Sequence, residues 1–401
     1  MQGVVFLFVL STGSECIMVY LDYSATTPTD PRVVEAMLPY FTGDFGNASS
    51  RHGYGRRAEQ AVNDARETVA RVLGCRAGEI IFTSGGTESD NLAVRGAAAA
   101  HRTRGTHLIT STIEHGAVGA TCDALAKQGF SVTRLPVDRF GQINPTALSA
   151  AIRPETTVAS LMYANNEIGS IQPVAEFGRQ CRERGVLFHT DAVQAAGQLP
   201  LKVDALRCDL LSLSAHKFYG PKGIGALYVR AGTRLHAVVT GGGQESGLRP
   251  GTTPTPLIVG LAKALELAYA EFDARVSRLK ELRDRLIDSV LTRIPDCQLT
   301  GHPEQRLPSH ASFIIEGING SELVDYLAAD GIAASSASAC KAGSLTPSSV
   351  LIALGYKPRQ AVSSLRLTVG LHTTEREIAT AVTSLAYCVE ALRLSRSQMA
   401  V

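Results

Sequence analysis

Short apolar runs alternate with longer amphipathic stretches along most of this chain. EIIFT (79–83), THLITS (106–111), VASLMYA (158–164), VLFHTDA (186–192) and CDLLSLS (208–214) each end where small or polar residues begin. Runs of this length, rich in Val, Ile, Leu and Phe, predict buried strands. Between them, stretches such as 60–72 and 116–128 are long enough for helices. Strands alternating with helices predict an α/β fold on a mainly parallel sheet covered on both faces. Ligands of such sheets gather beyond the carboxyl ends of the strands. The residues just after the five runs are therefore the ones to inspect.

Further on the period changes. Val276, Leu279, Leu282, Leu286 and Val290 recur every three or four residues and predict a helix connecting to a second domain. That smaller α+β domain is expected over 271–401, with strand-like ASFIIEG and SSLRLTVG and helices starting near Ser321, Pro347 and Thr374. The large domain is expected over 20–270, with its first segment packing against the small one. Residues 1–19 read as an N-terminal extension with the natural start near Met18, or else as a short added strand or tail. Its apolar run VVFLFVL (4–10) is too short to span a bilayer, and no Lys or Arg precedes Arg32. The tail LRLSRSQMAV is expected to be partly disordered and to carry partner contacts.

Composition narrows the function. Of 401 residues, 45% are hydrophobic and 19% charged, which fits a globular protein. Lys and Arg number 39 against 37 Asp and Glu, a difference of two, so no nucleic-acid or membrane surface is expected. Cys16, Cys75, Cys122, Cys181, Cys208, Cys297, Cys340 and Cys388 are scattered, without Cys-x-x-Cys or zinc spacing. A reducing, cytoplasmic setting follows, with most thiols buried and no intrinsic metal site.

Strand EIIFT runs into Ser84-Gly85-Gly86-Thr87 with a helical pattern behind it. Bare glycines let backbone N–H groups approach an anion, the helix start adds its positive end, and Thr87 can donate a hydroxyl. A plain strand–helix turn explains the same residues, and this is no Walker A loop. Asp191 ends the strand in VLFHTDA, and Gln194 lies one helical turn on. A carboxylate there needs a cation or hydrogen bonds: a protonated pyridine nitrogen would serve, with Gln194 on a ring oxygen, and an N-cap role fits as well. Lys217 directly follows CDLLSLS, where desolvation would lower its pKa and free a nucleophilic amine. Ser214 and His216 beside it suit a phosphate or the lysine turn. The rival Lys222, between Pro221 and Gly223, suits a solvated turn. His115 and Asn166 also stand just past strand ends, and His115 alone reads equally as a structural histidine. Together these residues place an anion cradle, an acid, a lysine and an imidazole at the strand ends of one sheet. That combination is specific to a pyridoxal 5'-phosphate (PLP) site.

The motifs LDYSATTP (21–28), GNASSRH (46–52), TSGGTESDN (83–91), ANNEIG (164–169), SAHK (214–217) and GGGQE (241–245) resemble those of the cysteine desulfurases. These are PLP enzymes of the class V aminotransferase group with the fold type I architecture. SSASACKAGS (335–344) resembles the catalytic-cysteine loop of the NifS/IscS-like branch, placed here at 335–347, rather than the Arg-x-Gly-His-x-Cys form.

The resemblance implies that Lys217 holds PLP and moves protons, that His115 stacks on its ring, and that Asp191 holds the ring nitrogen. It assigns Gln194 and Asn166 to ring substituents, and Gly86, Thr87, Ser214, Ala215 and His216 to the phosphate. Arg366, helped by Asn47, would take the substrate carboxylate. Thr252, in LRPGTTP, would reach the phosphate of the neighbouring subunit in a homodimer. Cys340 would take sulfur from L-cysteine as a persulfide, releasing L-alanine. It would pass that sulfur to an iron–sulfur scaffold or a tRNA-thiolation protein, and at most ligate an iron–sulfur cluster transiently. Another class V aminotransferase or a selenocysteine lyase is the alternative. Ala337, Ser246 and Pro250 depart from the usual pattern, at the loop and near the dimer contact.

Overall fold

A computed structural model describes residues 18–336 and 346–399. Residues 1–17 of the extension, Ala337 and Cys340 lie outside the described residues. A two-residue strand, β1 (Val19–Tyr20), opens the described chain. The main sheet follows, built from β2 (Ile80–Thr83), β3 (His107–Ser111), β4 (Ser131–Leu135), β5 (Thr156–Ser160), β6 (Leu187–Asp191), β7 (Leu210–Ser214) and β8 (Gly225–Val229). Its order is β2-β8-β7-β6-β5-β3-β4. Strands β3 to β7 pair in parallel, and β8 runs antiparallel to both β7 and β2. All five predicted runs are strands of this sheet. Strands β2, β3, β5 and β7 are buried along their whole length, which is why they read as continuous apolar runs rather than as alternations. Only β4, at the edge, is polar and mostly uncovered.

Helices cover the sheet. The helix Gly53–Leu73 buries Ala58, Ala61, Val62, Ala65, Val69 and Leu73, a stripe of mainly small residues that lets it lie against the helix Thr255–Ala270. It ends at Gly74, whose φ of 72° is the left-handed cap that glycine adopts freely. The helix Gly86–Ala100 passes close to β7 and β8, putting its first turn beside the carboxyl ends of β6 and β7.

The chain turns at Glu271 into the long helix Phe272–Arg293, the amphipathic stretch predicted from 276 to 290. A second core gathers Leu279, Leu282, Leu286 and Val290 with Phe313, Leu323, Leu365 and Val382. Its sheet is β9 (Cys297–Leu299), β10 (His310–Ile315) and β12 (Ser364–Thr368), antiparallel with β10 in the middle. Strand β1 pairs in parallel with β11 (Ile332–Ala333), and Val19 and Leu21 are buried in the second core. The residues just before the LDYSATTP motif are thus tied to the C-terminal layer.

The expected disorder of the tail is overturned. The final helix runs Glu375–Met399, taking in LRLSRSQM. By length and composition it is apolar enough to cross a membrane, yet Ile378, Val382, Leu385, Val389 and Leu392 are buried in the second core. The arginines of the tail are accommodated because they lie on its outer side: Arg393 donates to the Glu316 carbonyl at 2.8 Å and Arg396 pairs with Glu322 at 3.0 Å.

Candidate active site

A cavity of about 280 Å³ opens beyond the carboxyl ends of β6 and β7. Gly86, Thr87, His115 and Asn166 line it together with Asp191, Gln194, Ser214, His216 and Lys217. Nine of the residues singled out from the sequence therefore meet in one place, though they span 132 positions between Gly86 and Lys217 and the ends of five strands. Ala215 stands buried between Ser214 and His216 in a short helical turn.

The lysine sits at the seam of the two layers. Its Nζ donates to the main-chain oxygens of Ser24, which also accepts from Gln194 Nε2 at 3.0 Å, and of Ala25, at 2.8 Å. Burial, reinforced by the positive charge of Arg366, pushes Lys217 down to about 8, against the pull of Asp22 and Asp191. A neutral amine is thus accessible near neutrality. The rival Lys222 is exposed in its turn.

Asp191 is buried at the end of β6. Burial raises its pKa, while the Val193 N–H at 2.9 Å and the charges of His115 and Lys217 pull it back. One helical turn past Gly86, Asp90 faces the same cavity, 1% exposed and with its Oδ1 lacking a hydrogen-bond partner. Burial, and then the charge of Asp191, raise Asp90 well above the carboxylate range. Of this pair Asp191 has the N–H donor and the cations, so Asp90 carries the proton. His189 stands 3.6 Å from Asp90, but burial pushes it down to about 3. It stays neutral between the hydroxyls of Ser160 at 2.8 Å and Ser212 at 3.0 Å. Glu114 is half-buried as a residue, but its carboxyl group is enclosed, Oε2 has no partner, and burial pushes it up to about 8.

The anion cradle is built as the glycines suggested. A Cβ on Gly86 would come within 2.8 Å of Val193, so only glycine lets the helix start this close to β6. The first amides of that helix have no intrahelical acceptor by position, and Gly86 and Thr87 line the cavity together with Ser214 and His216. His216 Nδ1 lies 3.1 Å from the Thr26 hydroxyl, and burial with the charges of Lys217 and Lys222 pushes it down to about 4. His115 caps the helix Gly116–Ala126, accepting the Ala117 N–H on Nδ1 at 3.2 Å, and leaves its other ring edge exposed at the cavity. His115 thus has a structural role as a cap and also stands at the cavity.

Arg366, on β12, reaches Asp22 at 2.7 Å and the Asn166 carbonyl at 3.0 Å, beside the cavity rather than in its wall. Asn47 and Thr252 are exposed and also lie outside the wall. Asp90, Glu114 and Asp22 were missed from the sequence. Helical spacing would have found Asp90, four positions after Gly86 on the same face. No local signal marks the other two.

An enclosed acid, a lysine poised near neutrality and an anion cradle at strand ends define a PLP-type site. The chain belongs to the aminotransferase class-V family, whose model matches residues 19–380. It is 47% identical over 375 residues to the cysteine desulfurase IscS of Dictyoglomus turgidum, covering 94% of this chain and 95% of that one. It is 50% identical to the cysteine desulfurase IscS of Methanosarcina thermophila, over 92% of this chain and 91% of the relative. The fold matches a solved NifS-like protein with a TM-score of 0.88 at 36% identity, over 93% of this chain and all of that one. It also matches SspA in complex with cysteine, with a TM-score of 0.79 at 37% identity, over 89% of this chain and 100% of that one. The family's cofactor is PLP, and the residues here fit it: the glycine approach at Gly86, the cradle hydroxyls, the buried Asp191 and the neutral-prone Lys217.

Proposed function

We propose that this chain desulfurates L-cysteine, taking its sulfur onto Cys340 and releasing L-alanine. The observation that carries the reading is the meeting of Lys217, Asp191, His115 and the Gly86–Thr87 cradle in one cavity, in a chain whose near full-length relatives are named cysteine desulfurases. When bound, PLP supplies a conjugated ring that accepts electrons from the substrate α carbon.

In this reading each residue works through its place in the wall. Lys217 holds the cofactor and then moves the α proton; its lowered pKa supports both tasks. Asp191 keeps the ring nitrogen protonated, Gln194 and Asn166 hold the ring substituents, and Gly86, Thr87, Ser214, Ala215 and His216 hold the phosphate. His115, open on one edge, stacks on the ring and assists protonation. Arg366 binds the substrate carboxylate, with Asn47 assisting. The Cys340 thiolate attacks the substrate sulfur: an S–S bond forms, the substrate C–S bond breaks, and a proton completes the methyl group of alanine. Burial raises the pKa of all six described thiols, with Cys75, Cys181, Cys208 and Cys297 pushed up to about 12, so none of these six suits a nucleophile.

The partners belong to the same proposal. A homodimer in which Thr252 completes the neighbour's phosphate site is supported by Val34, Leu38, Phe41, Phe45 and Tyr54, exposed in one stretch around Asn47. Light scattering should give twice the chain mass. The sulfur acceptor is proposed from the IscS-like resemblance as an iron–sulfur scaffold or a tRNA-thiolation protein.

The test of activity is direct. With L-cysteine and dithiothreitol, the PLP-loaded protein should release alanine and sulfide in equal amounts, and Cys340→Ser should release neither. Amino-group exchange with a keto acid, unaffected by Cys340→Ser, would instead make it an aminotransferase.

A further inference from the structure

Arg366 is 8% exposed, and both terminal nitrogens of its guanidinium are engaged. Nη2 donates to Asp22 Oδ1 at 2.7 Å, Nη1 to the Asn166 carbonyl at 3.0 Å, and Nε has no partner. The second oxygen of Asp22 accepts from the Ser335 hydroxyl at 2.9 Å. Main-chain bridges from Asp22 to Thr368 and from Ser335 to Arg366 hold the three residues together. The guanidinium assigned to the substrate carboxylate thus already holds a carboxylate of this chain.

We propose that Asp22 occupies the carboxylate seat of Arg366 in the substrate-free enzyme and yields it to the carboxylate of the incoming amino acid. The inference rests on the assignment of Arg366 to the substrate. A nearly enclosed guanidinium without an anion is strongly disfavoured, so Arg366 needs a counter-ion, and Asp22 supplies it. Exchange replaces one carboxylate by another, so Arg366 is never left bare. Asp22 is not stranded either, because Ser335 still holds its second oxygen. Two carboxylates on the same guanidinium edge would repel, so the two anions compete. The apparent substrate affinity is then lowered by the fraction of time Asp22 holds the seat. If Asp22 instead only braced Arg366 for the substrate, its loss would act in the opposite direction.

The experiment titrates PLP-loaded wild type, Asp22→Asn, Asp22→Ser and Asp22→Glu with L-alanine, and with L-alaninol, which lacks the carboxylate. Binding is followed by the absorbance of the bound cofactor, and KM and kcat for L-cysteine are measured in parallel. Either neutral variant should bind L-alanine about tenfold more tightly, with L-alaninol binding unchanged. KM should fall by a similar factor with little change in kcat, and Asp22→Glu should behave as wild type. Serine provides a second neutral variant should asparagine disturb folding. Unchanged or weaker L-alanine binding in the neutral variants overturns the proposal. Equal binding of L-alanine and L-alaninol by the wild type overturns the assignment of Arg366, and the competition with it.

Discussion

The buried wall of the cavity and the Arg366 corner beside it both hold carboxyl groups, under opposite conditions. Asp90 and Asp191 line the wall and Glu114, which feels the charge of Asp191, is enclosed outside it; each has its pKa raised by burial first and by a neighbouring acid second or later where one contributes. At the corner, Asp22 meets a guanidinium at 2.7 Å and a hydroxyl at 2.9 Å. Enclosure drives the acids of the wall toward the neutral form, and nearby cations oppose it, whereas Asp22 is paired directly with a guanidinium. The wall therefore has room for one full negative charge, and Asp191, with its N–H donor and nearby cations, is where that charge settles. Lys217 lies between the two regions and feels both Asp22 and Asp191.

The largest test of this contrast compares the two aspartates of the wall. Asp191→Asn removes the single negative charge and should lower kcat/KM for L-cysteine about a thousandfold. Asp90→Asn swaps one neutral group for another and should lower it less than about tenfold. Equal losses in alanine-release assays would mean that the charge is shared, and the contrast would dissolve. At the corner, Arg366→Ala leaves Asp22 without its cation and, on the proposed role of Arg366, the substrate without its anchor. Its kcat/KM should fall about a hundredfold, mostly through KM.

A smaller effect lies in pH. Lys217 must be neutral to take up PLP, and its pKa of about 8 sets the window. The rate of PLP uptake by the apoprotein, followed by absorbance, should rise about tenfold per pH unit below 8 and level off above it. A profile that keeps climbing to pH 10 would show that Lys217 titrates like a solvated lysine.

What was legible in the sequence follows the same division. Lys217, Asp191 and the Gly86 cradle sit at strand ends, and a strand end is a local pattern of apolar residues giving way to polar ones. Sheet topology then brings such ends together without any further signal. Asp22 was hidden because its partner Arg366 is 344 positions away, and no periodicity links them. Glu114 was hidden because its enclosure depends on the Met162 N–H at 3.1 Å, a contact made only when β3 and β5 lie side by side. The tail misled for a related reason. Its arginines look soluble, but Arg393 and Arg396 lie on the outer face of a helix whose inner face completes the second core. Asn47 and Thr252 came from the family resemblance alone, and a single chain leaves both exposed.

The finest probe of the enclosed acids is Glu114→Gln. Glu114 titrates near 4.5 in an unfolded chain and at about 8 when enclosed. Between those values the unfolded state has released the proton while the folded state still holds it, so rising pH favours unfolding. Linkage sets this loss at no more than about 1.4 kcal/mol per pH unit, and it ends once pH passes the folded value. Below pH 4.5 both states are protonated and the group gives no pH dependence. Glutamine cannot ionise and still offers an oxygen to the Met162 N–H, so the variant escapes the loss entirely. Its Tm should therefore gain on wild type steadily from pH 5 to 8 and then run parallel to it. A constant offset across that range would mean that Glu114 is charged in the fold, which would require a second enclosed negative charge within reach of Asp191.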